Sequence, residues 1–222
     1  MERDVVAARA LCPICNKRRA ERYCPALGEK ICAVDCGTGR EVSIDCPYDC
    51  PHLLAAHRWE EEHRPPLAEG DIPFPDVSFP ADLVHEHGVA VSGLGHAVLV
   101  YAAENRPLTD ADVSAAVRAL AETYRTLVSG IYYAKPPDPP IQAGLYAALA
   151  KFWDDFKKRQ AGQQRYPTPK DSEIFLLLVF FLRFAFLHTN GRPRSRAFLA
   201  FLRSQFPAGA AETREESRII MP

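Results

Sequence analysis

From Thr109 onward the apolar residues fall at helical spacing. Val113, Val117, Leu120, Tyr124, Leu127, Val128 and Ile131 make one stripe of period 3.6, which predicts an amphipathic helix. Thr109, with Asp112 three residues on, supplies the hydroxyl and carboxylate that satisfy the first unbonded N–H groups of such a helix. The run KPPDPP, Lys135 to Pro140, ends it, and Tyr132-Tyr133 just before that run reads as core packing at a helix end. A further helix carries Ile141, Leu145, Leu149, Phe152, Trp153 and Phe156 on one face. Another spans Lys170 to His188, is apolar nearly all round, and is expected to be the most buried. Asn190-Gly191 stops it, and a short last helix covers Pro193 to Phe206. Ala81 to Val100 also reads as a helix, although Gly88, Gly93 and Gly95 weaken it by about 1 kcal/mol each relative to Ala; close helix packing accounts for them better than a nucleotide loop.

Upstream the pattern changes. Residues 64–80, RPPLAEGDIPFPDVSFP, hold five prolines in seventeen positions and predict an extended connector. Residues 1–63 have few large apolar residues and all seven cysteines of the chain, spaced Cys12-x2-Cys15-x8-Cys24-x7-Cys32-x3-Cys36-x9-Cys46-x3-Cys50. The expected organisation is therefore a Cys-rich module (1–63), a Pro-rich connector (64–80), an all-α bundle of four to five helices (81–206) and a loose tail (207–222). The fold class is mainly α, with short β-hairpins and one helix in the N-terminal module.

Composition narrows the chemistry. At 47% apolar and 25% charged, with net charge −1, the chain offers no global electrostatic attraction for nucleic acid or acidic membranes. The longest apolar run, Ile174 to Leu187, is fourteen residues with Arg183 inside it, whereas a membrane span needs about 20. The first ten residues lack the apolar core of a secretory signal, so a cytoplasmic location is expected. Thiols stay reduced there, and clustered cysteines in odd number read as metal ligands rather than disulfides.

So small a core needs a staple, and structural zinc contributes on the order of 10–16 kcal/mol per site. Cys12-Pro-Ile-Cys15-Asn16 reads as a metal-binding turn in which Asn16 takes the left-handed conformation; Gly37 after Cys36 is expected to do the same. Pro51 suits the first turn of a helix running from Cys50 through Trp59. Interleaved pairing gives one Cys₄ site from Cys12, Cys15, Cys32 and Cys36. Cys24, Cys46 and Cys50 then take a fourth ligand from His52, or alternatively from His57. Sequential pairing (Cys12, Cys15, Cys24, Cys32) is the other topology. Two zinc ions are expected, one at minimum, in closed structural sites.

The interleaved order resembles treble-clef-like zinc fingers of the HIT, MYND and B-box types over about 45 residues, with Leu27 where HIT fingers carry a fourth cysteine and Cys46 where they carry histidine. The segment CGTGREVSIDCPYDCPHL (Cys36 to Leu53) and the Thr189 to Leu199 text resemble a family of uncharacterised bacterial proteins that pair a Cys-rich module with a helical C-terminus. The finger types mostly bind proteins, so the resemblance implies an interaction module.

Three function classes follow. The first is a non-enzymatic zinc-binding adaptor or regulator that docks a protein partner. The second is a nucleic-acid-associated factor, using Arg192, Arg194 and Arg196 as an oxyanion or partner site together with the basic loop Lys17 to Arg22. That loop also serves, more simply, to offset the negative charge of a thiolate centre. The third is an enzyme with its site in the bundle, for which no convergent acid, base or nucleophile is visible and no small-molecule substrate is predicted.

Overall fold

A computed structural model describes residues 10–64, 69–163 and 168–206. The chain is mainly helical, with one small antiparallel hairpin near its N-terminus. It forms two compact units. The first takes the chain through Arg64 together with Asn190–Ser195, and the second takes the rest.

In the first unit a bridge between Leu11 and Arg19 closes a knuckle, with Cys12 N–H donating to Arg18 O at 2.7 Å. Asn16 sits at φ 52°, the left-handed conformation expected of it. Strands β1 (Arg22–Cys24) and β2 (Glu29–Ile31) pair antiparallel with Tyr23 opposite Lys30. Gly28, at φ 73°, turns the chain between them. Helix α1 (Ala33–Gly39) follows Cys32, so Gly37 is a helical residue rather than a left-handed one. Helix α2 (Pro51–Glu62) starts with Pro51 in its first turn as expected, because a missing N–H costs nothing there. The unit's interior is Ile31, Ile44 and Leu53 surrounded by cysteines.

The second unit holds a 3₁₀ turn (Glu69–Asp71) and helices α3 (Leu83–Glu86), α4 (Gly88–Glu104), α5 (Asp110–Val128), α6 (Pro140–Gln163), α7 (Asp171–His188) and α8 (Ala197–Gln205). Helix α5 packs on α7 and α6, and α4 packs on α6 and α8. The expected capping box is present: Thr109 Oγ1 accepts from Asp112 N–H at 3.3 Å, and Asp112 Oδ2 accepts from Thr109 N–H at 3.0 Å. In α4, a Cβ on Gly93 would lie 2.8 Å from the Phe152 ring, which is why this helix tolerates its glycine. Helix α7 buries Ile174, Leu177, Leu178, Val179, Phe181, Leu182 and Ala185, and among the described residues no helix is long and apolar enough to cross a membrane.

Three expectations need correction. Residues 69–80 of the Pro-rich connector are built into the second unit. Phe74 is buried at φ 53°, and Arg183, the charge inside the apolar helix, donates to the carbonyls of Pro73, Phe74 and Val77 while its guanidinium lies 4.7 Å from the Phe79 ring centre. Tyr132 and Tyr133 are not core: they are 73% and 60% exposed, because α5 has already ended at Val128. The last helix starts at Ala197 rather than Pro193, since Asn190–Ser195 belongs to the first unit. The tail beyond residue 206 lies outside the described residues.

The first residue of α5 caps the N-terminus of α8, and Arg196 ties α8 to the segment that precedes α5. The buried Asp110 carboxylate accepts from Phe198 N–H at 3.1 Å and Leu199 N–H at 3.2 Å, and Arg196 donates to the carbonyls of Leu108 and Arg106.

Arg183→Gln leaves carbonyls of the 73–77 segment unmet. The expected loss is about 2 kcal/mol in urea unfolding, since hydrogen bonds to charged groups contribute about 1.5–3 kcal/mol. Hydrogen exchange at residues 74–79 should accelerate more than at the centre of α5; uniform protection in the variant would contradict this role.

Candidate metal centre

The ligand atoms of Cys12, Cys15, Cys32 and Asp35 all lie within 4.8 Å of one another, and among the described residues no other group of three or more His, Cys, Asp or Glu does so. Local folding places each. Cys12 and Cys15 flank the knuckle, whose Asn16 N–H returns to Cys12 O at 2.8 Å. Cys32 is the N-cap of α1, and its sulfur accepts from Asp35 N–H at 3.3 Å as a serine hydroxyl would. The same first turn sends the Asp35 side chain back, where Oδ2 accepts from Cys12 Sγ at 3.0 Å and from Cys32 Sγ at 3.1 Å.

Three sulfurs and one carboxylate can hold a metal ion. Tetrahedral coordination with metal–sulfur bonds of about 2.3 Å sets ligand atoms about 3.8 Å apart, so only small side-chain adjustments separate this group from that geometry. The electrostatics are arranged for negative charge. Hydrogen bonds from Cys15, Cys12 and Cys32, aided by the Arg18 charge, hold the Asp35 carboxyl down to about 2. Burial pushes the Cys12 thiol up, but the backbone N–H groups of Cys32, Cys15 and Ile14 outweigh it and bring the thiol below its ordinary value. Burial raises the Cys32 thiol. Arg18 Nη1 stands 3.7 Å from Asp35 Oδ1, and the Cys32 sulfur beside it raises the guanidinium further. The basic loop therefore does supply a charge that offsets this cluster.

The cluster differs from the expected Cys₄ set in its fourth member. Cys36 is half-buried on α1, its N–H bonded to Cys32 O, and stays outside the group. Asp35 is the fourth member of the group. Its signal was in the sequence: Cys32-x2-Asp35 repeats the spacing of Cys12-x2-Cys15.

Cys24, Cys46 and Cys50 are all buried in the unit's interior, but the structure does not bring them and His52 within the same mutual distance. Burial pushes the Cys46 thiol up, the Glu41 N–H opposes this, and the nearby Cys50, Glu41 and Cys24 add to the rise. His57 Nε2 lies 2.9 Å from Oε2 of the buried Glu41, and its Nδ1 is buried without a partner among the described residues. His52 lines a pocket of about 410 Å³ with Arg22, Arg40, Ala55, Ala56, Trp59, Glu60 and Arg192.

The three C-terminal arginines do not converge. Arg192 Nη2 donates to Glu60 Oε1 at 2.7 Å, and Asn190 Nδ2 donates to Glu41 Oε2 at 2.7 Å, tying this segment into the first unit. Arg194 is exposed, with its N–H bonded to Glu41 O at 2.9 Å. Arg196 belongs to the second unit and is buried on the carbonyls already described.

Protein-family models, curated proteins and solved structures provide no match to this chain.

Removing a donor tests the grouping. Cys12→Ser and Cys32→Ser should abolish retention of a metal ion by this cluster, and Arg18→Gln should weaken it about tenfold, the scale of outer-shell effects. Asp35→Ala should cost more than Arg18→Gln, and Cys36→Ser should cost least. Cobalt titration followed by thiolate charge-transfer absorption reads all five; a Cys36→Ser loss exceeding that of Asp35→Ala would restore the Cys₄ set.

Proposed function

We propose that the Cys12, Cys15, Cys32 and Asp35 cluster holds a structural zinc ion, and that the unit it fixes is a non-enzymatic adaptor docking a protein partner in the cytoplasm. The zinc identity rests on the donor set, since thiolates with one further ligand in a tetrahedron suit this ion. Four protein donors close the coordination shell and leave no position for a substrate. A second ion on Cys24, Cys46 and Cys50 belongs to the same reading. His57 suits its fourth place better than His52, because a carboxylate on one ring nitrogen is the usual support of a metal-ligating histidine and the other nitrogen has no partner.

The observation that carries the adaptor role is what the first unit leaves outside. Among its described residues three large aliphatic side chains are buried, Ile31, Ile44 and Leu53. Nine large apolar ones are exposed, and they include Leu11 and Ile14 beside the knuckle cysteines and Val34 beside Asp35. Apolar residues held out on a cross-linked scaffold are what a partner can cover. The nucleic-acid reading draws less support, with Arg196 buried and Arg18 turned to the cluster.

Metal analysis of the purified chain should find at least one zinc, and two if His57 completes the second set. Chelation should melt the first unit and leave the helical unit's transition in place; acidification should do the same, because protons compete for the thiolates. A partner complex should survive high salt and nuclease, fall apart on chelation, and be lost in the Leu11→Ser/Ile14→Ser double variant with zinc content unchanged. A complex that dissolves steeply with salt would speak for nucleic acid instead.

A further inference from the structure

The pocket on the first unit is separate from the metal cluster, and the adaptor role makes no use of it. One face of α2 forms its wall: His52, Ala55, Ala56, Trp59 and Glu60 recur at helical spacing. Three cations converge over that face from distant parts of the chain: Arg22 opens β1, Arg40 follows α1, and Arg192 comes from the 190–195 segment. A single carboxylate opposes them. Glu60 accepts from Arg192 Nη2 at 2.7 Å and from Asn190 Nδ2 at 3.2 Å. Three guanidinium charges less one carboxylate leave the lining at +2 before His52 is counted.

Those charges are incompletely matched. Among the described residues neither Arg22 nor Arg40 has an ion pair, and Arg192 Nη1 is buried without a hydrogen-bond partner. A guanidinium N–H withdrawn from water with no acceptor favours any ligand that brings one. The rest of the lining is His52, Ala55, Ala56 and Trp59. Ala55 and Ala56 leave room above the helix, and Trp59 is 60% exposed, with one face stacked on His63 at 4.3 Å between ring centres.

We propose that this pocket binds a phosphate monoester carried on a flat ring. At neutral pH such a group bears about −1.5 to −2 charge, which matches the lining, whereas a carboxylate would leave a cation unmet. Arginine forks accept phosphate oxygens pairwise. The cavity of about 410 Å³ exceeds a bare phosphate and lies in the range of small-ligand sites, about 300–1,000 Å³, so the ring takes the space beside Trp59 and the two alanines. A phosphotyrosine side chain and a nucleoside monophosphate both present this chemistry. The inference stands independently of the zinc and adaptor reading.

The test uses the full chain and phenyl phosphate, with inorganic phosphate, benzoate, adenosine monophosphate and a phosphotyrosine peptide as further arms. Calorimetry measures affinity and tryptophan fluorescence reports on Trp59, the other tryptophan, Trp153, being fully buried. Phenyl phosphate should bind saturably and about tenfold or more tighter than inorganic phosphate or benzoate. Arg22→Gln/Arg40→Gln should lose at least about tenfold, the loss of one charge-assisted hydrogen bond or more, with circular dichroism and metal content unchanged. Arg40→Lys, which keeps the charge and removes the fork, should weaken binding by a smaller factor and covers the case of a misfolded double variant. Preference for the peptide or for the nucleotide names the source; either result supports the shared chemistry. No saturation by about 10 mM phenyl phosphate, equal binding of benzoate, or wild-type affinity in the arginine variants overturns the proposal.

Discussion

The constraint that shapes the first unit is its shortage of apolar core, and the hydrogen bonds of Asp35 to the Cys12 and Cys32 sulfurs tie its parts together where burial cannot. Ile31, Ile44 and Leu53 are too few to hold a knuckle, a hairpin and two helices together by burial alone. The cluster joins the knuckle, through Cys12 and Cys15, to the first turn of α1, through Cys32 and Asp35. A metal ion in that place would add on the order of 10–16 kcal/mol and would couple folding of the unit to metal binding. Without such a joint the chain would have to bury the apolar residues it displays.

A second polar knot works beside the first. Glu41 is fully buried at φ 52°, and a carboxylate in that position persists only where donors surround it. His57 and Asn190 supply donors to its side chain, and its own carbonyl accepts from Arg194 N–H. One acid thus binds α2 and the 190–195 segment to the turn after α1. That segment also carries Arg192 to Glu60, so a buried charge, rather than an apolar face, recruits the piece of chain that completes the pocket.

Helices were legible in the sequence because periodicity records burial directly. The stripe from Val113, the capping pair Thr109 and Asp112, and Pro51 at a helix start each announce a local geometry that needs no knowledge of the rest of the fold. What stayed hidden was non-local. Nothing near Arg183 says that its guanidinium will collect three carbonyls from residues 73–77, more than a hundred positions away, and so convert a proline-rich stretch into core. Tyr132 and Tyr133 looked buried because aromatic residues usually are; the helix simply stops before reaching them. At the cluster, cysteine spacing identified three of the four members. It missed Asp35 because counting one residue type concealed that a carboxylate at the same x2 spacing meets the same geometric need.

The arginines carry the same lesson into function. Read along the chain, Arg192, Arg194 and Arg196 form one basic motif; in the fold they have three different fates within five residues. Arg196 precedes α8 and is buried, and the carbonyls of Leu108 and Arg106 consume its donors. Arg194 faces solvent, where an isolated charge gains little. Arg192 alone joins cations from elsewhere, Arg22 and Arg40, over an apolar helix face. Recognition of an oxyanion needs forks that converge in space with their hydration already removed, not charges adjacent in sequence. The pocket brings such forks together from residues spread over 170 positions, from Arg22 to Arg192, with Arg192 Nη1 already withdrawn from water.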